Sequence, residues 1–302
     1  MANIELLKKL RDLTQAGMSD ALKALKESND DLELSVQWLR EKGIAKAAKK
    51  ANAIATEGIA QVYIKDNLAV IFEVNCETDF VSTNSEFVSL TEEIGELLIE
   101  SGEYNIENFV KLKFSNGETV EDACKSLTGK IGEKIALRRY EIFSKNDEQM
   151  FSFYQHSNKK IAVLLVIDKQ IDSIVGKDIA MHAAAMSPKY LNENNVEKEW
   201  LENEVKIIKE QMTTDPKFVA MMNDSKASLR IEGIIKGKVN KLLSEVTLEA
   251  QVFVKDSSKT VKQHVNQNGG NLLTYVRYQV GEGIEKKVVD FAEEVASQMN
   301  NI

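Results

Sequence analysis

The sequence predicts an α+β fold built in several parts, and three observations carry that prediction. Apolar residues recur at helical spacing through most of the chain, while two prolines in 302 residues leave that periodicity almost unbroken. Aromatic residues are only 7% of the total, which favours long helices over an all-β fold. Six short runs rich in Val, Ile, Leu, Phe and Tyr nevertheless read as strands, and the length suffices for more than one module with a sizeable core.

The helices come first. Ile4, Leu7, Leu10 and Leu13 fall at helical spacing, Gly17 interrupts them, and Ser19 is placed to cap a second helix carrying Leu22 and Leu25. Asp30 followed by Glu33 makes a capping-box-like start for a third helix with Leu32, Val36 and Leu39, which Gly43 is expected to end. Three short helices of this kind form a compact bundle similar to ubiquitin-associated domains. With the Ala/Lys stretch from Ala45 to Ala53 as linker, it takes up residues 1–54.

The body opens on strands. Gly58 to Ile64 and Leu68 to Val74 flank Lys65-Asp66-Asn67, a hairpin turn by composition, and the next helix is not expected much before Ser82 to Ser85. That helix presents Phe87, Leu90, Ile94, Leu97 and Leu98 on one face, and a third strand follows at Ile135 to Phe143. A second hairpin joins Phe151–Tyr154 to Ile161–Ile167, a helix runs from about Ile171 to Ala185, and a last strand covers Leu272 to Val280. Arg139-Tyr140-Glu141-Ile142 is echoed by Arg277-Tyr278-Gln279-Val280, as a core of two similar halves at 55–147 and 148–283 would produce.

An insertion at about 190–244 interrupts the second half. Val196 to Leu243 is rich in Glu and Lys, with apolar residues at helical spacing and one break at Thr213-Thr214-Asp215-Pro216. Two helices of about twenty residues around that break make an antiparallel helical hairpin roughly 30 Å long. It either projects as a second contact surface, a candidate for homodimer formation, or lies flat on the core. A closing helix from Glu285 to Met299 completes the chain in a C-terminal module, 284–302.

Charge narrows the range of functions. The net charge of −8 argues against a nucleic-acid binder held by phosphate contacts, so no direct nucleic-acid partner is expected. Residues 1–54 hold ten Lys or Arg against eight Asp or Glu, so the mild positive excess lies in the opening bundle and the acidity elsewhere. Cys76 and Cys124 have neither metal spacing nor a disulfide framework, which fits a reducing compartment. No apolar run reaches the length of a membrane span, and no targeting segment opens the chain, so a cytoplasmic protein without a membrane partner is expected.

Motifs for covalent chemistry are incomplete. Gly281-Glu282-Gly283-Ile284 lacks the third glycine of a dinucleotide loop, and Gly129-Lys130 lacks both the upstream glycine and the following hydroxyl residue of a phosphate loop. His156, His182 and His264 stand far apart with no ligand spacing. No cofactor or metal is expected, and the protein is not expected to be an enzyme with chemistry of its own.

The most informative stretch is Asn75-Cys76-Glu77-Thr78-Asp79-Phe80-Val81. It ends an apolar strand with Phe80 set among polar residues at a strand-to-helix turn, where a bulky side chain either plugs its own core or is offered to a partner. The string resembles the Thr-Asp-Phe-Val motif of the elongation factor Ts family. Other pieces resemble that family in order: Leu10 to Leu25, Ala47-Ala48-Lys49-Lys50-Ala51 with Glu57-Gly58, Lys130-Ile131-Gly132-Glu133, Tyr154-Gln155-His156, Ile179-Ala180-Met181-His182, and Gly281 to Glu285. Ser19, Ala21 and Leu22 depart from the family, which often carries Met, Cys and Lys there.

The resemblance implies a guanine-nucleotide exchange factor that binds the translational GTPase elongation factor Tu. By it, Phe80 wedges between helices of the GTPase and shifts the elements that hold Mg²⁺, Asp79 fixes the approach, and Thr78 and Val81 shape the turn. Ile131 and Gly132 match a second contact, His156 a third, and Arg11 and Met18 contacts of the first bundle. Read without the resemblance, Ile131 is a core residue, Gly132 a helix cap, His156 a turn cap, Met18 a staple and Arg11 a solvated charge. An alternative from another class is a protein-binding adaptor or chaperone acting through the bundle, which would have no need of Thr78 to Val81.

Overall fold

The computed structural model describes residues 4–14, 16–214 and 228–285, and within them the α+β prediction holds. Three helices open the chain: α1 (Ile4–Thr14), α2 (Met18–Glu27) and α3 (Leu32–Lys50). Leu10, Ala21, Ala24 and Leu25 are buried together, with Leu6, Leu7, Trp38 and Leu39 packed around them. The small side chains of α2 let the helices approach closely, and one leucine each from α1 and α2 fills the centre.

A hairpin of β1 (Glu57–Lys65) and β2 (Leu68–Cys76) follows, then α4 (Asp79–Ser82), α5 (Ser85–Ser101), α6 (Ile106–Phe109), α7 (Val120–Ile131) and β3 (Ala136–Ser144). The strands form one sheet in the order β1-β2-β3. Strand β2 is buried over almost its whole length, as its apolar run requires. Helix α5 buries Phe87, Leu90, Ile94 and Leu98, and Gly95 lets it sit directly against the rings of Tyr63 and Phe72.

The second sheet repeats this plan. Strands β4 (Met150–Gln155) and β5 (Ile161–Ile167) pair antiparallel, with Met150 opposite Ile167, Ser152 opposite Leu165 and Tyr154 opposite Val163. Helix α8 (Ser173–Met186) packs on both strands, and β6 (Leu272–Gln279) completes the order β4-β5-β6. The echoed Arg-Tyr pairs fall in the third strand of each sheet, Arg139-Tyr140 in β3 and Arg277-Tyr278 in β6. Between α8 and β6 lie α9 (Lys198–Thr213), α10 (Ser228–Val246) and α11 (Val261–Gln267). Helices α9 and α10 contact each other, and Tyr190, Val196, Leu243, Trp200, Leu201, Val239 and Val246 form a small core at their base. The described residues divide between two compact units, one within Met1–Tyr63, Phe72–Ile142 and Tyr278–Ile302, the other within Ile64–Ile71 and Phe143–Arg277.

Several local expectations are corrected, each for an identifiable reason. Helix α2 starts at Met18 with Gly17 at its N-cap, not at Ser19, and Gly17 C=O accepts the first helical bond from Ala21 N–H. The cap of α3 is Asp31, which accepts from Leu34 N–H at 2.9 Å, because Asn29 and Asp30 take positive φ in the turn that closes α2. Gly43 does not end α3; the helix continues to Lys50, so most of the expected linker is helical. The cause is a helix crossing, since a Cβ on Gly129 of α7 would lie 2.4 Å from Gly43 Cα. Two glycines let the backbones touch, and that packing outweighs the cost of about 1 kcal/mol for glycine inside a helix. The helix carrying Phe87, Leu90, Ile94 and Leu98 starts at Ser85, as expected, and an unforeseen single turn, α4, precedes it at Asp79–Ser82. The expected closing helix from Glu285 to Met299 lies, apart from Glu285, outside the described residues, as does the hairpin's break beyond Thr214.

Candidate functional site

Strand β2 delivers the chain to a single helical turn at Thr78–Ser82, too short to be stable by itself. Side chains hold it instead. Thr78 is the N-cap in extended conformation, and its Oγ1 accepts from Val81 N–H at 3.4 Å. At the other end Ser82 Oγ donates to Asp79 C=O at 2.7 Å and Thr83 Oγ1 to Phe80 C=O at 2.9 Å. Cys76 is wholly buried and donates Sγ–H to Thr78 C=O at 3.1 Å, so it helps to hold the turn.

With successive residues about 100° apart around the turn, burying Val81 and Ser82 forces Asp79 and Phe80 outward. Phe80 is 84% exposed, the most exposed of the large apolar side chains among the described residues. It is therefore not a core plug. Asp79 is exposed beside it, so an aromatic ring and a carboxylate face solvent from one turn.

The segment after α7 is tied to this turn. Gly132 closes α7 with φ +89°, a left-handed C-cap that only glycine adopts without strain, and a Cβ there would meet nothing within 4 Å. Gly132 thus caps the helix and leaves open space above its backbone. Ile131 is half-buried at the same corner. Beyond it, Glu133 accepts from Thr78 N–H at 2.9 Å and Thr78 Oγ1–H at 2.7 Å. Glu77 accepts from Lys134 N–H at 2.7 Å and from Lys50 Nζ at 3.1 Å, which joins the end of α3 to the same place. Lys130 pairs with Glu86 in the first turn of α5. Thr78, Asp79, Phe80 and Val81 are thus brought together with Ile131 and Gly132.

The other expected contacts lie elsewhere. Arg11 is exposed near the end of α1 and donates Nε–H to Ala16 C=O at 3.3 Å, and Met18, half-exposed, opens α2. His156, in the other compact unit, ends β4; its Nδ1 lies 3.1 Å from Asn158 Oδ1 and its ring meets Tyr154 edge-on. His156 is partly exposed in a turn-closing position. His182 is fully buried, with Nδ1 accepting from Val254 N–H at 3.2 Å and Nε2 2.9 Å from Gln251 Oε1. That pair of partners fixes a neutral ring, and burial pushes its pKa down, so it serves structure.

Sequence reasoning missed two acids. Glu133 stood inside a quoted motif without a role. Glu73 interrupts the apolar run of β2, yet its side chain is completely buried and accepts from Arg138, from Arg139 Nε at 2.6 Å, from Asn75 Nδ2 at 3.0 Å and from Gly281 N–H at 2.8 Å. Burial opposes its charge, but Gly281 N–H and the two guanidinium groups overcome that and hold its carboxyl below the usual range. A lone Glu within a buried strand was the available signal.

A cavity of about 640 Å³ lies between the bundle and helices α5 and α7. Its lining mixes Asp20, Glu86 and Glu93 with Lys23, Arg40 and Lys130, and among the described residues no group of His, Cys, Asp or Glu is arranged for a metal. None of the described helices is long and apolar enough to cross a membrane.

A three-helix bundle, two β-sheets of one plan and a turn that exposes Phe80 define an α+β protein of several modules, and comparison with known sequences says of what family. The family described as Elongation factor TS matches residues 77–282. Elongation factor Ts of Acholeplasma laidlawii (strain PG-8A) is 45% identical over 295 residues, 98% of this chain and 98% of its own. That of Malacoplasma penetrans (strain HF-2) is 42% identical over 294 residues, 97% of each. These are translation elongation proteins. The chain belongs to the elongation factor Ts family.

Proposed function

We propose that this protein binds elongation factor Tu in its GDP form and speeds GDP release by dislodging Mg²⁺ and opening the nucleotide site, so that GTP can enter. The observation that carries the reading is the exposure of Phe80 on a turn held at both ends by side-chain hydrogen bonds. An exposed aromatic on a mobile loop loses ordering entropy on binding, whereas one held in place is preorganised to press into a partner. Asp79 accepts hydrogen bonds that orient the approach, and Thr78 and Val81 keep the turn in shape. Ile131 and Gly132 form the neighbouring contact, and His156, Arg11 and Met18 supply further ones. The chemistry belongs to the partner's nucleotide, not to this chain.

Magnitudes favour shared work. Weakening GDP about a thousandfold requires about 4 kcal/mol of coupling between the two ligands of the GTPase. Burying one Phe contributes about 1.5–3 kcal/mol, so Phe80 needs the other contacts. Within this reading residues 1–54 are a binding module, 55–147 and 148–283 are the two halves of the core, and the insertion at about 190–244 is a second contact or self-association element. Stopped-flow release of a fluorescent GDP from elongation factor Tu, with and without this protein, tests the proposal. Acceleration that saturates with protein concentration is expected; an unchanged release rate would refute it.

A further inference from the structure

We propose that Glu133 is the positioning residue of the Phe80 wedge, the group that sets the direction in which the aromatic side chain is offered. This deepens the exchange reading and rests on it.

Phe80 cannot orient itself, because its side chain is 84% exposed. The four-residue helix that carries it cannot either, since one turn fixes several dihedral angles for few hydrogen bonds. Burial of Val81 and Ser82 turns Phe80 outward and the Ser82 and Thr83 hydroxyls close the far end of the turn, so what holds Thr78 fixes its start. Both donors of Thr78 end on one carboxylate, N–H on Glu133 Oε2 at 2.9 Å and Oγ1–H on Glu133 Oε1 at 2.7 Å. Giving its proton to Glu133 turns the hydroxyl so that a lone pair is left for Val81 N–H at 3.4 Å. The carboxylate thus sets the cap, and the cap sets the turn.

The attachment is reciprocal. Glu77 accepts from Lys134 N–H at 2.7 Å while Glu133 accepts from Thr78 N–H, so each of two adjacent segments places its acid on the other's backbone. Charge-assisted bonds of this kind are shorter and stronger than neutral ones. They also couple the Phe80 turn to Ile131 and Gly132, which directly precede Glu133, so that both contacts are presented in fixed relation.

The test is a set of variants read by fluorescent GDP release from elongation factor Tu, each with a melting curve. Glu133→Ala is expected to lower the saturating release rate about fivefold or more and to change the half-saturating concentration by no more than about twofold. Thr78→Val is expected to behave like Glu133→Ala, whereas Thr78→Ser, which keeps the hydroxyl, restores the rate. Combined with Phe80→Ala, Glu133→Ala should cause much less than its own single loss, because the aromatic side chain that it chiefly positions is gone. Additive losses in that pair, or wild-type release by Glu133→Ala, would overturn the proposal. Should Glu133→Ala fail to fold, Glu133→Gln decides: an intermediate rate supports the proposal and a wild-type rate overturns it. No acceleration by the parent protein would overturn the exchange reading; unchanged release by Phe80→Ala would overturn the wedge role and this proposal with it, while slow Phe80→Ala beside normal Glu133→Ala would overturn this proposal alone.

Discussion

Phe80 and Glu73 are opposite cases at the scale of single residues: an apolar side chain in water and a charge in the core. Truncating a buried Phe costs about 3–5 kcal/mol, but Phe80 loses little by truncation because it is already solvated. Phe80→Ala is expected to melt with the parent while GDP release falls about tenfold, which calorimetry and stopped-flow measurements together check. Glu73 behaves the other way. Its depressed folded pKa means that its stabilisation is complete above the ordinary carboxylate range and is lost as pH falls through the folded value. Glu73→Gln is expected to lose roughly 3 kcal/mol at pH 7, and the gap to the parent should close as pH falls from the ordinary carboxylate range through the lowered value of Glu73. Melting temperatures of both proteins across pH test this, and a gap independent of pH would contradict it. The local pattern marked Phe80 as notable, an aromatic after a polar run at a strand end, but left plug and partner contact open; the resemblance favoured the outward reading and the structure shows the side chain exposed. The roles of Glu73 and Glu133 were not legible in the sequence, since their partners Gly281 and Thr78 lie far along the chain.

The helical hairpin and α3 show what can be read of whole elements. Its alternation of charge and apolar residues predicted the paired arms, and α9 and α10 meet over a base that includes Tyr190, Val196 and Leu243. Because that base is a cluster of its own, replacing residues 205–236 with a short flexible linker is expected to leave the rest of the chain folded. GDP release should persist with weaker binding or altered self-association, read by circular dichroism, stopped flow and sedimentation. Loss of exchange in a folded product would move the mechanism into the hairpin. The end of α3 was misread for a reason that no local rule covers. Gly43 carries the signature of a helix stop, but the surface of α7 at Gly129 needs a helix without a side chain at that point.

For the molecule as a whole, this crossing bears on how the opening bundle can be removed. A helical rather than extended connection, with Lys50 bound to Glu77 beside the Phe80 turn, makes α3 part of the support of α7. Deleting residues 1–54 is expected to weaken association with elongation factor Tu and also to lower the melting temperature of the remainder by several degrees, about 1–3 kcal/mol of lost packing. Titration by surface plasmon resonance and thermal melting separate the two effects. A truncated chain that melts like the parent would mean that α7 does not depend on α3.

Local chemistry determined the α+β class, the three-helix opening, both hairpins and the echoed third strands, because each depends on residues within a few positions of one another. Tertiary structure alone decided that α3 runs on through its glycine, that Glu73 stays charged inside a sheet, and that Glu133 holds Thr78. Those outcomes depend on close approaches and buried charges between segments distant in sequence. A residue's burial and its partners are properties of the packed chain, and no periodicity encodes them.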